Sequence, residues 1–412
     1  MDKYLPLSGK TILAGITGGI SAYKAAHYLR KLKKLGARII PVMTQNATKF
    51  ITPLTISALT GEKTYVAMFN DNEEWKINHI NLARKSDLMV ILPATANFIA
   101  KAANGIADDL LSTLFLAFNK KTVFFPAMNP EMLLNPVTQR NIKTLTEFGH
   151  IVVECGSGQT ACGEKGRGRL PAFDVVKEEI IKELTPQTLK DIKILVTAGP
   201  TREAIDPVRF ISNHSSGKMG YALAKEAARR GGDVALISGN TCLKKPYNIK
   251  FYSVNSAANM LNEVLEKAVG ADIIIMAAAV ADYSPSEVQG QKIKKSNEEF
   301  LIKLKKTEDI LKNLQKIPDK KFIVGFAAET ENLIDNARKK LLEKGADMII
   351  ANDVSGNDRG FYSEKNKVSI ISKDENILNI PLMFKKKLAK ITWDVIEDKM
   401  TKKIHINETI SF

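Results

Sequence analysis

The chain has 412 residues, enough for two to three domains, and its 44% hydrophobic and 25% charged residues supply packed cores and exclude wholesale disorder. Lys and Arg number 60 against 45 Asp and Glu, and the formal charge of +15 points to anionic partners, nucleic acid or phosphorylated small molecules, without choosing between them. The cysteines, Cys155, Cys162 and Cys242, have no C-x-x-C spacing, which excludes a disulfide scaffold, weakens a zinc site and fits a reducing cytoplasm.

Lys10–Thr44 reads as strand, glycine turn, amphipathic helix, strand, and Lys193–Gly239 repeats that order with a long loop before its helix. Strands alternating with helices of this length predict parallel sheets. The first half continues with a buried strand in Ser86–Phe98, a helix in Ile106–Phe118, strands in Thr122–Asn129 and His150–Glu154, and a glycine-rich loop or flap over 156–169. A charged helix, Val175–Thr185, and Pro186 then lead to a boundary between about Thr185 and Lys193. The second half continues with strands in Ile273–Tyr283, Phe322–Thr330 and Met348–Val354 and helices in Glu308–Ile317 and Asn332–Ala346. A closing hairpin, Lys367–Lys373 with Ile377–Met383, precedes a last helix in Lys386–Met400. The expected fold is α/β, with two doubly wound, Rossmann-like domains in tandem over 1–190 and 191–412. The longest uncharged apolar stretches, Leu88–Ala100 and Ile273–Ala281, fall short of the ~20 residues of a spanning helix. No signal-peptide pattern is visible, and a soluble protein is expected.

Gly15, Gly18 and Gly19 sit between a strand pattern and a helix pattern, where glycine lets backbone N–H groups approach a phosphate. Their spacing is G-x-x-G-G and the next strand ends Met43-Thr44-Gln45 without an acid, which weakens a nicotinamide reading and leaves a phosphate turn or a packing turn. Ser215–Gly220 superficially resembles a P-loop, but Ser212 and Met219 stand where Walker A needs Gly and Ser or Thr. An anion site and a serine-capped helix start both remain open there.

The strings GITGGISAYK, NHINLAR, PATANFIAKAANGIADDLLST, PAMNPEM and GQTACGEKGRGRL resemble the homo-oligomeric flavin-containing cysteine decarboxylases. TAGPTREAIDPVRFISNHSSGKMG, AAAVADY, KIKK, GFAAET and ANDVS resemble phosphopantothenate–cysteine ligase. Both halves in this order resemble the bacterial family that fuses the two in coenzyme A biosynthesis, with a flavodoxin-like flavoprotein first and the ligase second.

The resemblance implies an FMN-dependent decarboxylase. Flavin oxidises the substrate CH₂–SH to a thioaldehyde whose C=S accepts the electrons left by CO₂, and reduced flavin restores the thiol. His79 matches the active-site His and Asn129 the amide that holds the substrate carboxylate. Cys162, flanked by Lys165, Arg167 and Arg169, matches the proton donor to the enethiolate. Gly15, Gly18, Gly19, Ser57, Thr95 and Asn97 are the FMN candidates, and Leu133 stands where relatives often carry an aromatic.

For the ligase half the resemblance implies activation of 4′-phosphopantothenate by CTP with Mg²⁺, as an acyl-cytidylate that the amine of cysteine attacks. Asn213 matches the residue that forms and holds this intermediate, and Lys292 the lysine that acts on it. Ala278, Asp282, Lys292, Glu308, Asp309, Ile310, Leu311, Phe326, Lys340 and Lys344 are the CTP candidates. Glu308 replaces the proline usual there, which adds an anion near the triphosphate path. Lys340 and Lys344, four apart, share a helical face. No metal ligands are assigned, Mg²⁺ being carried mainly by the CTP phosphates. The expected partners are small molecules, with neither nucleic acid nor membrane, in a homo-oligomer of trimeric flavin halves and dimeric ligase halves, up to a dodecamer. A monofunctional relative with one half degenerate is the first alternative. A basic nucleic-acid-binding protein is the second; it would interleave Arg and Lys with exposed aromatics, whereas the 7% aromatics here fall mostly in predicted cores.

Overall fold

The structure, a computed structural model, describes residues 4–68, 78–159, 163–294, 300–318, 321–329, 331–355, 362–374 and 376–409. They fall into two compact units, Met1–Pro186 and Gln187–Phe412.

In the first unit the order is β1 (Thr11–Ile16), α1 (Ala22–Lys34), β2 (Arg38–Met43), α2 (Pro53–Thr60), α3 (Asn78–Lys85), β3 (Leu88–Ala94), α4 (Ala96–Ala103) and α5 (Leu110–Ala117). It continues with β4 (Thr122–Pro126), α6 (Pro130–Leu134), α7 (Pro136–Glu147), β5 (Ile151–Val152), β6 (Gly156–Gln159), β7 (Lys165–Arg169) and α8 (Phe173–Glu183). The first five strands pair in parallel in the order β2-β1-β3-β4-β5. Their unbroken apolar runs follow from burial on both faces. Val90 and Leu92 of β3 enter one core with Ala25 and Leu29 of α1 and Ile180 of α8. Met89 and Ile91 enter the other with Phe98 of α4 and Leu111 of α5. Helix α1 forms because its apolar positions, Ala22, Ala25, Ala26, Leu29 and Leu32, recur at helical spacing, and Lys31, Lys33 and Lys34 meet the negative end of its dipole.

The glycine-rich segment expected as a loop carries an antiparallel ribbon, β6 against β7. Its glycines hide the strand signal because they supply no alternating side chains, yet they are what lets the ribbon lie down. Gly168 has φ 154°, and a Cβ there would stand 2.3 Å from the Met128 carbonyl oxygen.

The second unit runs β8 (Lys193–Ala198), β9 (Arg202–Ala204), β10 (Phe210–Ser212), α9 (Lys218–Arg229), β11 (Asp233–Ser238), β12 (Lys250–Ser253), α10 (Ala257–Ala268), β13 (Ile273–Met276), β14 (Tyr283–Pro285) and β15 (Leu304–Lys306). It ends with α11 (Ile310–Leu314), β16 (Phe322–Glu329), α12 (Leu333–Glu343), β17 (Met348–Asp353), β18 (Lys365–Ser372), β19 (Ile377–Phe384) and α13 (Lys385–Thr409). The main sheet has the order β12-β11-β8-β13-β16-β17-β18-β19. Pairing is parallel as far as β17, and the expected hairpin, β18 with β19, extends the same sheet antiparallel. One face packs on α9 and α13, where Trp393 is fully buried and donates its indole N–H to the Leu223 carbonyl at 2.9 Å. The other packs on α10 and α12 through Leu195, Ile274, Val264 and Leu341. The residues that open this unit are bound into it: Leu189 is buried in the core, Gln187 Nε2 donates to the Arg229 carbonyl, and Thr188 donates to Glu397.

Candidate functional site

In the first unit, strand order reverses between β1 and β3, the crevice where open α/β sheets bind ligands. A cavity of about 860 Å³ lies there, at the upper end of the range for small-molecule sites. Its two rims are tied by Thr17, whose hydroxyl donates to the Pro93 carbonyl at 2.8 Å and accepts from Thr95 N–H at 3.1 Å. Gly18 and Gly19 form the β1–α1 rim, which leads to the N-terminus of α1. Across from them Thr95 caps α4 through Phe98 N–H, and Asn97 lines the same wall.

Two FMN candidates stand elsewhere. Gly15 lies within β1, where a Cβ would meet Ile91 and Leu111 methyls at 2.7 Å, so it is a packing glycine rather than part of the turn. Ser57, on α2, donates to Thr64 Oγ1 at 2.8 Å and accepts from Thr64 N–H at 3.1 Å, and it does not line the cavity.

Asn129 does line it. Its Oδ1 accepts from Glu131 N–H at 2.7 Å and Met132 N–H at 3.4 Å, which turns Nδ2 outward. That Nδ2 donates to Glu164 Oε2 at 2.5 Å, so the amide expected to hold a carboxylate holds one here. Leu133 is buried and leaves Met132 at the cavity wall. The backbone of His79 lies in the first turn of α3. Cys162 lies outside the described residues. Burial pushes the Cys155 thiol up to about 11, which keeps it protonated and inert at neutral pH.

Among the cavity residues that sequence reasoning missed are Lys24, Thr44 and Lys101, and Arg169, expected beside Cys162, also lines the cavity. The Thr44 hydroxyl is buried with no hydrogen-bond partner among the described residues, and a group that would complete it belongs in the cavity. Lys101 pairs with Asp108 at 2.6 Å and Asp109 at 3.0 Å. Burial pulls its ammonium down, and the two carboxylates outweigh burial and hold it above the usual lysine range. Lys24 lies one turn before Tyr28 on α1, and a lysine on an amphipathic helix reads as part of its solvated face in sequence.

In the second unit the reversal falls between β8 and β13. The segment after β13 is held by Thr197, whose hydroxyl accepts from Ala278 N–H at 3.1 Å, and by Thr201, which accepts from Ala281 N–H at 3.0 Å. Asn213 joins it from β10: Nδ2 donates to the Val280 carbonyl at 3.0 Å and the Ala279 carbonyl at 3.4 Å. Thr307 closes the other side, donating from its hydroxyl to the Ala281 carbonyl at 2.6 Å and from its N–H to the Asp282 carbonyl at 2.9 Å. Asn213, Ala278, Asp282, Glu308 and Asp309 are thereby gathered. Asp309 caps α11 and ion-pairs with Lys344. Burial would raise its carboxyl, but Lys344 and the Lys312 N–H outweigh burial and keep it below the usual carboxylate range. Glu308 is exposed beside Asn313 Nδ2.

Other candidates stand differently from expectation. Ile310 is buried and Leu311 packs on the core, so only their backbone can face a ligand. Phe326 is half-buried against the core. Lys340 lies in the last turn of α12, and Lys344 follows the helix as its cap. Helix α9 starts from Gly217 at φ 73° with no side-chain cap, since a left-handed residue there suits glycine; Ser215 Oγ instead accepts from Gly217 N–H at 3.3 Å. Lys292 is exposed on a stretch, 289–294, with neither helix nor strand.

The family model of the flavoproteins matches residues 2–185, and that of the DNA/pantothenate metabolism flavoprotein C-terminal domain matches residues 189–400. The fold, the cavity and these matches define a two-domain flavoprotein of pantothenate metabolism. The chain is 43% identical over 396 residues to the coenzyme A biosynthesis bifunctional protein CoaBC of Bacillus subtilis (strain 168), covering 95% of this chain and 97% of that one. It is 39% identical over 404 residues to its counterpart in Escherichia coli (strain K12), covering 97% and 99%. Among solved structures, the C-terminal domain of a CoaBC is 42% identical with a TM-score of 0.46, covering 52% of this chain and 99% of that one. The chain belongs to the family of coenzyme A biosynthesis bifunctional proteins. It is a bifunctional enzyme, a phosphopantothenoylcysteine decarboxylase and a phosphopantothenate–cysteine ligase in one chain.

Proposed function

We propose that the second unit condenses 4′-phosphopantothenate with cysteine at the expense of CTP, and that the first decarboxylates the product to 4′-phosphopantetheine with FMN. The observation that carries this reading is that both strand-order reversals gather motif residues of the matching half.

The first cavity fits FMN: it has a glycine rim at a helix N-terminus, a Thr44 hydroxyl without a partner among the described residues, and the cations Lys24 and Arg169 beside the acid-paired Lys101. When bound, FMN supplies a reversible two-electron oxidation of the substrate CH₂–SH carbon. The Gly18–Gly19 rim and the α1 N-terminus hold phosphate, and Thr95 and Asn97 line the facing wall. Asn129 Nδ2 exchanges Glu164 for the substrate carboxylate, orienting it without a charge that would oppose CO₂ loss. His79 handles the thiol proton, and the Cys162 thiol protonates the substrate carbon that CO₂ leaves.

In the ligase unit the carboxylate of 4′-phosphopantothenate attacks the α-phosphorus of CTP and pyrophosphate leaves. The amine of cysteine then attacks the acyl carbon and CMP leaves. Asn213, fixed on the 279–280 carbonyls, orients the acyl-cytidylate, and Lys292 stabilises charge on it. Ala278, Asp282, the α11 N-terminal backbone at Asp309–Leu311, Phe326, Lys340 and Lys344 surround the nucleotide, and Mg²⁺ enters with the triphosphate. We infer a cytoplasmic homo-oligomer with trimeric flavin halves and dimeric ligase halves. No helix among the described residues is long and apolar enough to cross a membrane.

The test is an absorbance spectrum of the purified protein, then product analysis with CTP, Mg²⁺, cysteine and 4′-phosphopantothenate. A yellow protein releasing CMP and then CO₂ is expected. A colourless one that does neither refutes the reading.

A further inference from the structure

Asn213 follows β10, a three-residue strand at the surface of the second unit, where Phe210 and Asn213 are exposed and Ile211 and Ser212 are half-buried. Among the described residues, β10 gives no side chain to either core of this unit. Its ladder ties it to β9, with Ser212 opposite Arg202, but that ladder does not set its place against the segment after β13. Hydrogen bonds that converge on Thr201 do.

Thr201, between β8 and β9, is fully buried and joins three places in the chain. Its N–H donates to the Ala279 carbonyl at 3.3 Å, its hydroxyl accepts from Ala281 N–H at 3.0 Å, and its carbonyl accepts from Ser212 Oγ at 2.6 Å. Asn213, the residue after Ser212, donates from Nδ2 to that same Ala279 carbonyl at 3.4 Å and to the Val280 carbonyl at 3.0 Å. Thr201 and Asn213 therefore meet at one oxygen, whose two lone pairs serve both. The Ser212 hydroxyl closes the circuit, reaching from the residue before Asn213 to the residue that fixes 279–281. A serine on a half-exposed strand can satisfy its hydroxyl with water; this one donates inward, at the short end of the O–H···O range.

We propose that Ser212 and Thr201 are positioning residues for the ligase reaction, holding Asn213 in register with the 279–281 segment so that its amide meets the acyl-cytidylate. This rests on the role given to Asn213 above. Ser212→Ala removes the donor, whereas Ser212→Thr keeps it on a residue that suits a strand. Thr201→Val keeps the shape and removes the acceptor for Ala281 N–H, whereas Thr201→Ser keeps that acceptor.

The experiment compares these four full-length variants and Asn213→Ala with the parent. It measures pyrophosphate release from CTP with 4′-phosphopantothenate, CMP release once cysteine is added, KM for CTP, thermal unfolding, and decarboxylation of phosphopantothenoylcysteine by the first unit. Ser212→Ala and Thr201→Val should lose about tenfold to a hundredfold in kcat for CMP release, with KM for CTP within about twofold of the parent. Ser212→Thr and Thr201→Ser should recover kcat to within about threefold, and decarboxylation should stay at the parental rate in all of them. Hydroxyls that only support the fold would lower the unfolding midpoint and leave kcat parental, and that result overturns the proposal. A loss of kcat that Ser212→Thr and Thr201→Ser share overturns it as well, since the hydroxyl is then not the group that matters. Full pyrophosphate and CMP release by Asn213→Ala overturns the role of Asn213 itself, and the proposal with it, whatever the hydroxyl variants do. Should Thr201→Val not fold, Ser212→Ala and Ser212→Thr decide alone, because Ser212 is only half-buried.

Discussion

Adding a single methyl at Gly18 should separate flavin binding from folding. A Cβ there would stand 2.6 Å from Asn46 Cβ and 2.9 Å from the Asn46 carbonyl carbon. Ordinary contact begins near 3.4 Å, so the rim must open by about 0.8 Å, and the obstacle is largely backbone that cannot rotate aside. Overpacking of this kind costs about 1–3 kcal/mol. If the strain is relieved by moving the rim that grips phosphate, FMN binding weakens about 5-fold to 150-fold. Gly15→Ala is the control. Its methyl would meet the Ile91 and Leu111 side-chain ends at 2.7 Å, away from the cavity, and should lower stability by about 1–3 kcal/mol with flavin affinity kept. Fluorescence titration of flavin-stripped protein measures affinity, thermal unfolding measures stability, and CMP release reports on the other unit. Equal flavin losses in Gly18→Ala and Gly15→Ala, or affinity in Gly18→Ala within about twofold of the parent, would refute the placement of phosphate on this rim.

Cys162→Ser should stall decarboxylation after CO₂ loss, whereas Cys155→Ala should turn over normally because its buried thiol stays protonated; trapped oxidised product in the second protein would contradict this. Lys344→Met should raise KM for CTP about threefold to tenfold while freeing the partly buried Asp309 carboxylate, with decarboxylation unchanged, as steady-state kinetics at fixed cysteine will tell. Lys385 is pulled down to about 8 by burial, with Lys218 adding to the effect. Between pH 8 and its unfolded value near 10.5 the unfolded chain binds the extra proton, so stability at this site rises with pH across that window. Lys385→Met should therefore stabilise the second unit by on the order of 2 kcal/mol at pH 7, and that gain should shrink towards pH 10 in denaturant titrations. A gain that grows with pH would contradict the burial argument.

The sheets were legible because strands buried on both faces must be continuous apolar runs, as in Leu88–Ala94 and Ile273–Met276. The β6–β7 ribbon was not, because glycines give strands no alternation to read. Gly15 and Gly18 lie three residues apart in one motif, and only the register of β1 shows that the first faces a core and the second a cavity. Asn129 and Asn213 could be singled out from motif strings, but what each amide binds depends on Glu164, Ala279 and Val280, far off in the chain. Thr44, Thr197 and Thr201 gave no signal, since a threonine at a strand end looks alike whether its hydroxyl is satisfied, shared or waiting.

The docking of residues 187–189 onto the second unit bears on any attempt to separate the two activities. A ligase half begun at Lys193, where the first strand starts, would discard the Leu189 plug and two anchoring hydrogen bonds, and would expose the cleft they fill. Begun upstream of Gln187, the same fragment keeps its seal. The stretch that reads as a tether is thus the first turn of the enzyme behind it.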